Sequence, residues 1–284
     1  MNPKLSVITI NFNNAIGLRQ TMKSVLEQTF TDLEYIVIDG GSADGSVEVI
    51  KEFEHIKFEI SESDPKINVN IPFQWISESD KGIYHAMNKG IALAKGEYCF
   101  FINSGDYFVS PNVVKSVFSE GPEESIIFGN LIIGLNNKIT GKIRGKSTLT
   151  FFDLYKSNVV KHQSAFIKRK LFEVYGLYNE NLKIVADWEF FLKTLGFANE
   201  SYRYMDIDIA YFDNDGISSN AGNVTINERN HVLQTIVPPM ILPDYRQWER
   251  YNFLIPVFRY KPLIFLLRVI AKCTKEIEKI RGIK

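Results

Sequence analysis

The chain has 284 residues with 33 basic and 33 acidic side chains, and it is 45% apolar and 23% charged. That length can bury a full core in one large domain or two, and the apolar fraction is that of an ordinary globular protein. Zero net charge argues against a nucleic-acid-binding body. In chain order, the apolar run 5–10 predicts a buried strand, and Asn11-Phe12-Asn13-Asn14 follows with turn and N-cap chemistry. Residues 16–28 predict a helix with Leu18, Met22, Val25 and Leu26 at helical spacing. A second strand is predicted at 35–39 and a helix at 46–53. Residues 83–94 predict a helix with Met87, Ile91 and Ala94 on one side, closed by Lys95-Gly96. The aromatic run 98–102 reads as a central buried strand. This alternation implies a mostly parallel sheet flanked by helices, with right-handed crossovers. A further strand is predicted at 126–133. Beyond Gly145 the signals predict helices at 149–155, 168–175 and 187–195, a short strand at 207–212, loop chemistry at 213–220 and a helix at 224–236.

Charge is unevenly spread. Residues 259–284 hold eight basic side chains against Glu276 and Glu278, so this tail is +6 and the remainder −6. Leu263, Leu267, Ile270, Ile277 and Ile280 fall at broadly helical spacing beside Arg268, Lys272, Lys275 and Lys279. The pattern suits a helix lying on an anionic inner leaflet, and equally a helix packed on its own domain or on a second subunit. The division expected is a domain over 1–222 and a basic, amphipathic helical extension over 223–284. Cys99 and Cys273 have neither zinc spacing nor the look of a disulfide framework, which fits a reducing compartment. Met1-Asn2-Pro3-Lys4 runs straight into a strand, so no signal peptide is expected. The longest apolar stretch, 253–271, is broken by Arg259, Lys261 and Arg268 and is not expected to span a bilayer. A cytoplasmic location follows, with peripheral attachment to the inner face of the plasma membrane as the tail allows.

The chemistry concentrates at predicted strand ends. Asn103-Ser104-Gly105-Asp106 follows the central strand, and Asp39-Gly40-Gly41-Ser42 follows the second. Strand ends of this kind are where α/β enzymes place metal and phosphate chemistry, and two such carboxylates suggest a nucleotide-sugar site. Asp106 is a candidate ligand for Mg2+ or Mn2+, which prefer oxygen; it could instead cap the following helix. Asp39 could accept from the imide N–H of uracil, with glycines allowing close approach; it could instead form an Asx turn. Asp44 reads as a helix cap. Asp80 and Lys81 precede a helix N-terminus suited to anions, where a solvated loop is the other reading. Asp187 opens an apolar helix as a candidate general base or as a charge serving the helix dipole. Glu189 points to another side of that helix. His162 reads equally as a contact to acceptor or diphosphate and as a loop histidine.

These segments carry a resemblance. Ser6 to Asn13, Val37 to Ser46, Ser79 to Gly90, Ala94-Lys95-Gly96-Glu97-Tyr98 with Asn103 to Asp106, His162-Gln163-Ser164-Ala165 and Ala186-Asp187-Trp188-Glu189 resemble, in order, the family 2 glycosyltransferases of the bacterial polysaccharide branch. The likeness covers roughly residues 4–220 and implies an α/β GT-A fold. It implies inverting sugar transfer from a nucleotide-diphosphate donor, with a UDP sugar expected. Transfer would be to a saccharide or polyprenyl-linked acceptor in surface-polysaccharide assembly, such as lipopolysaccharide or capsule. It implies donor binding by Asn11, Phe12, Asp39, Asp80, Lys81, Asn103 and Ser104. It also implies a divalent metal, Mn2+ or Mg2+, at Asp106 and a base at Asp187. Two positions depart from the family pattern. Asn103 and Gly105 stand where Asp is common, so Asp106 alone remains in that turn, and Ala186 precedes Asp187 where Glu is common. The Gln-x-x-Arg-Trp motif of processive members is lacking, which implies a non-processive enzyme. A nucleotidyltransferase would need a glycine- and base-rich phosphate loop near the first strand, where Asn11 to Asn14 stands. A non-catalytic nucleotide- or sugar-binding relative is suggested by Asn103 and Gly105. A dinucleotide oxidoreductase lacks its glycine fingerprint.

Overall fold

The computed structural model describes residues 2–59, 71–135, 138–156, 159–213, 222–251, 254 and 260–280. The first strand, β1 (Leu5–Asn11), leads to α1 (Ala15–Leu26), and β2 (Leu33–Asp39) leads to α2 (Ser46–Glu59). β3 (Phe73–Ser77) precedes α3 (Ile83–Leu93), and β4 (Tyr98–Phe101) precedes β5 (Tyr107–Phe108) and α4 (Val113–Phe118). β6 (Ile126–Leu135) and β7 (Lys138–Ile143) form a hairpin, followed by α5 (Phe151–Lys156). β8 (Ala165–Lys168), α6 (Lys170–Tyr175), α7 (Ala186–Phe191) and β9 (Tyr202–Asp213) complete the sheet and its cover. α8 (Gly222–Ile236), α9 (Leu242–Tyr251) and α10 (Lys261–Ile280) follow.

The strands form one sheet in the order β3-β2-β1-β4-β8-β6-β9-β5, with β7 paired to β6. β1, β2, β3 and β4 run parallel, so their C-terminal ends share one edge. β8 enters antiparallel between β4 and β6, which makes the sheet mixed in its second half. Asn11 pairs with Asp39 in register, and Asp39 with Ser77, so three strand ends deliver polar side chains to one place.

Alternation in β1 and β2 buries both faces. Leu5, Val7, Tyr35 and Val37 join Leu18, Met22 and Val25 of α1 and Phe100 of β4 in one core. The α1 residues recur every three or four positions, and burying each fully is worth about 1.5–3 kcal/mol. On the other face α3 lies so close to β1 that a Cβ on Gly90 would sit 2.4 Å from Ile8 Cγ2. That packing fixes the N-terminus of α3 against the strand-end edge.

Several elements differ from the sequence-based expectation. The helix predicted at 187–195 is α7 followed by a π-helical turn, Leu192–Phe197. The strand predicted at 207–212 begins at Tyr202, because its first half pairs with β6 despite polar side chains. β3, β5, β7 and β8 carry no strong sequence signal, being short or half-exposed. The loop chemistry at 214–220 lies outside the described residues. The chain divides into two compact units, Met1–Val232 and Leu233–Lys284. Among the described residues no helix is long and apolar enough to cross a membrane.

Candidate active site

Asp39 is completely buried at the end of β2. Its Oδ1 accepts from Asn11 Nδ2 at 2.7 Å and Ser42 Oγ at 2.6 Å. Its Oδ2 accepts from Ser77 Oγ at 2.7 Å and from the backbone N–H of Ser42 and Gly41 at 3.0 and 3.2 Å. Burial by itself would raise this carboxyl, but the hydrogen bonds from Ser42, Ser77 and Asn11 hold it below the usual carboxylate range. Asp39 thus stays anionic and ties three strand ends together. Any base edge reaching it displaces one of these donors. Asn11 is itself buried, and its Oδ1 has no hydrogen-bond partner. Asp44 accepts from Ala15 N at 2.8 Å and from Ser46 N and Oγ, a double cap.

Beside this knot the side chains of Phe12 and Asp80 close over Gly40. Phe12 is 63% exposed, unusual for a large aromatic ring. A Cβ on Gly40 would lie 2.7 Å from Asp80 Oδ2 and 3.1 Å from Phe12 Cδ2. Only a residue without a side chain therefore fits at Gly40, which is buried where the Phe12 ring and the Asp80 carboxylate approach each other. Asp80 Oδ1 accepts from Gly82 N at 2.9 Å, which sets the entry to α3. Lys81 is exposed, and its backbone N–H donates to His85 Nδ1 at 3.3 Å. Asn88 and Lys89, on the same helix, serve structure. Asn88 Nδ2 donates to Tyr178 O at 2.9 Å, and Lys89 pairs with Glu78 at 2.8 Å.

The turn at 103–106 packs on the end of β1. Ser104 N donates to Ile10 O at 3.0 Å, and Asn14 Nδ2 donates to Ser104 O at 3.0 Å. Gly105 adopts φ +102°, a conformation that suits glycine. Thr21, reaching up from α1, donates to Asp106 O at 2.6 Å and accepts from Gly105 N at 3.0 Å. Asp106 is buried, and its Oδ1 accepts from Asp213 N at 3.1 Å. Burial pushes its carboxyl well above the usual range, and the neighbouring Asp213 charge adds to this despite the backbone donor. Asn103 Oδ1 is a buried acceptor without a partner. A buried carboxyl raised by its surroundings and an orphaned amide oxygen suit a hard divalent cation, which would draw off the proton. No group of three or more His, Cys, Asp or Glu side chains among the described residues could hold a metal alone. The cation would need oxygens from a bound ligand beside Asp106.

Asp187 opens α7 and is buried. Its Oδ2 lies 2.8 Å from His162 Nδ1, and its Oδ1 lies 3.1 Å from Tyr84 Oη, which shares its one proton with Ile184 O at 2.7 Å. Burial would raise this carboxyl too, but the hydrogen bond and charge of His162, with Lys161, hold it below the usual range. Trp188 Nε1 donates to Leu154 O at 2.7 Å, and the Arg229 guanidinium sits 4.1 Å from the Trp188 ring centroid, so the start of α7 is firmly held. Glu189 pairs instead with Lys193 at 2.8 Å, one turn further on.

Three groups of side chains therefore line the strand-end edge: Asn11–Asp39–Ser42–Ser77, Phe12–Gly40–Asp80, and the 103–106 turn with Asp213. Tyr84, in the first turn of α3, links Asp187 and His162 to that edge, since the same helix entry is set by Asp80. Sequence reading missed Ser42, Ser77, Thr21, Tyr84 and Asp213 as partners, and it did not pair His162 with Asp187. The 2.8 Å contact spans 25 positions of sequence, so no local pattern announces it.

One mixed α/β sheet flanked by helices, with buried carboxylates at its parallel strand ends, is the architecture of a GT-A glycosyltransferase. The sequence profile described as "Glycosyl transferase family 2" matches residues 6–176, and the chain belongs to that family. An uncharacterized glycosyltransferase of Mycobacterium tuberculosis is 36% identical over 199 residues, 67% of this chain and 68% of that protein. The S. aureus TarS fragment solved with UDP-GlcNAc superposes with a TM-score of 0.56 at 18% identity, over 74% of this chain and 58% of that one. A mannosyltransferase from Pyrobaculum calidifontis, solved with GDP-Man and Mn2+, superposes with a TM-score of 0.62 at 14% identity, over 100% of this chain and 84% of that one. At these identities both structures speak to the fold alone.

Proposed function

We propose that this glycosyltransferase is inverting and non-processive, and that it moves a sugar from a UDP donor to a saccharide or polyprenyl-linked acceptor in surface-polysaccharide assembly. The observation that carries the reading is the exposed Phe12 ring beside the Asp80 carboxylate at the strand-end edge. A nucleoside base stacks on the outer face of that ring. Asp39 and Asn11, both buried, hold the strand ends beneath it rigid. Lys81, at the mouth of α3, offers positive charge to the diphosphate. Asn103 and Ser104, in the turn after β4, face the diphosphate in this reading.

Asp106, with Asn103 Oδ1, would hold the divalent cation, Mn2+ or Mg2+. When bound, the ion acts as a Lewis acid that offsets charge growing on the leaving nucleoside diphosphate. The TarS structure was solved with UDP-GlcNAc and the mannosyltransferase with GDP-Man and Mn2+, which supports this class of donor and ion. In an in-line displacement at the anomeric carbon, the acceptor hydroxyl loses its proton on the face opposite the leaving group. Asp187 with His162 supplies the basic site for that proton.

The extension over 223–284 serves attachment to the inner membrane face. In α10 the side chains of Phe265, Leu266, Ile270 and Ile277 are exposed alongside Arg268, Lys272, Lys275 and Lys279. Such a helix, basic and apolar by turns, matches an anionic lipid surface.

The test is incubation of the full chain with UDP and GDP sugars, Mn2+ and a bacterial lipid extract. Expected is release of UDP that rises with the extract, and a product whose anomeric configuration is opposite to the donor's by NMR. A product with retained configuration would overturn the inverting assignment, and release from GDP sugars alone would overturn the UDP assignment.

A further inference from the structure

Asp187 is the carboxylate that a base would ordinarily be drawn from, yet both its oxygens are engaged. Oδ2 faces His162 Nδ1 at 2.8 Å, and Oδ1 lies 3.1 Å from Tyr84 Oη, whose one proton also has Ile184 O at 2.7 Å. The anion can only accept, so the proton of this contact belongs to His162 Nδ1. The lone pair of the ring then sits on Nε2. That atom is buried and has no hydrogen-bond partner, in a residue 8% exposed. Buried polar nitrogens are rarely left without a partner, and those that are call for an explanation. A carboxylate on Nδ1 with Nε2 left unpaired is the arrangement by which an acid orients an imidazole for proton transfer.

We propose that His162 Nε2 is the atom that takes the acceptor's proton, and that Asp187 is a positioning residue which fixes the ring and its tautomer. The proposal rests on the sugar-transfer reading above. The acceptor O–H gives its proton to Nε2. The oxygen's electron pair forms the new bond to the anomeric carbon. The bond from that carbon to the diphosphate oxygen breaks, and its electron pair leaves with the nucleoside diphosphate. The imidazolium so formed is stabilised by the Asp187 anion and returns its proton to solvent after the product leaves. Asp187 itself is a weak acceptor, held below the usual carboxylate range by its partners against the effect of burial. The other charged or titratable groups around the pair are Tyr84 from α3, Tyr178, Lys161 and Arg229 from α8. Tyr84, whose hydroxyl is pushed well above its usual range by burial and by Asp187, stays protonated and divides its one O–H between Ile184 O and the carboxylate.

The experiment compares the full-length chain with His162→Ala, His162→Gln and Asp187→Asn. Nucleoside-diphosphate release from UDP-GlcNAc and GDP-mannose is followed with Mn2+ and with water as acceptor, and UDP and GDP affinity is measured by calorimetry. Both His162 variants should bind nucleotide as the wild type does and lose about 10²–10⁴-fold in kcat. Added imidazole should restore part of the His162→Ala rate and none of the Asp187→Asn rate. A merely structural histidine would give no such rescue. His162→Gln keeps an amide N–H for Asp187, so it carries the comparison if His162→Ala does not fold. Release by folded His162→Gln within about threefold of wild type would overturn the proposal and return the base to Asp187. Failure of the wild type to bind or turn over either donor would overturn the sugar-transfer reading instead.

Discussion

Replacing Gly40 with alanine tests nucleotide binding at Phe12 and Asp80 with one methyl group. Gly40 does not have a positive φ, so alanine meets no backbone strain there. Its Cβ would land 2.7 Å from Asp80 Oδ2 and 3.1 Å from Phe12 Cδ2. Both are outlying side-chain atoms, so they move and the fold survives. Their movement has a cost at the site. Asp80 loses the geometry of its 2.9 Å bond to Gly82 N, worth about 0.5–1.5 kcal/mol, and crowding of a packed position typically costs ~1–3 kcal/mol. The methyl group also displaces the Phe12 ring on which the base would stack. Nucleotide affinity should therefore fall by about 1–3 kcal/mol, roughly 5- to 150-fold in Kd. Calorimetric titration of UDP into Gly40→Ala and wild type reads this directly, with thermal melting as the fold control. Gly222→Ala is the matched neutral variant, since a Cβ there meets nothing within 4 Å. Unchanged UDP affinity in a folded Gly40→Ala protein would refute nucleotide binding at Phe12 and Asp80.

Asp106→Asn should abolish Mn2+-dependent turnover. It should also leave a protein at least as stable at neutral pH, because a buried carboxyl raised well above its usual range is removed. The sign follows from linkage: a raised carboxyl favours the folded state below its unfolded pKa of about 3.9, and that support is lost as pH rises through the folded value. Thermal melts of wild type against pH should show this slope and those of Asp106→Asn should lack it; matching slopes would contradict the assignment. Asp39→Ala should weaken UDP binding and also destabilise, since Asn11, Ser42 and Ser77 lose a buried acceptor at about 1–3 kcal/mol for each donor left unpaired. A variant of wild-type stability would show that Asp39 does not hold the strand ends. Removal of residues from 260 onward should leave donor binding intact and abolish flotation with anionic vesicles. Full-length protein that ignores such vesicles at low salt would remove the membrane role.

The N-terminal half of the fold was legible because it is built from local signals. The continuous burial of Leu5 to Ile10 and Leu33 to Ile38 and the stripe Leu18, Met22, Val25 on α1 are each visible within a dozen residues. The glycine turns after Asp39 and Asn103 mark the strand ends and hence the site's edge. The second half was less legible, because its strands are defined by partners. β8 is four residues long and is a strand by virtue of lying between β4 and β6. The first half of β9 is polar and half-exposed, and pairing with β6 extends it. Within the site, sequence identified Asp39, Asp106 and Asp187 as single acids. The structure adds their environments: five donors around Asp39, a backbone N–H and a second acid beside Asp106, and a histidine and a tyrosine around Asp187. Those contacts decide which of three similar carboxylates is held anionic and which is pushed toward the neutral acid. No spacing rule carries that information.

The central claim is that the strand-end edge binds a nucleotide sugar. Its most direct test is calorimetric titration of the full-length chain with UDP-GlcNAc, other UDP sugars and GDP-mannose, in Mn2+ and again in EDTA. The account predicts saturable binding of a UDP sugar at one site per chain, stronger in Mn2+ than in EDTA and weakened by Gly40→Ala. Absence of binding by every nucleotide sugar in Mn2+, or binding that Gly40→Ala leaves untouched, would contradict it.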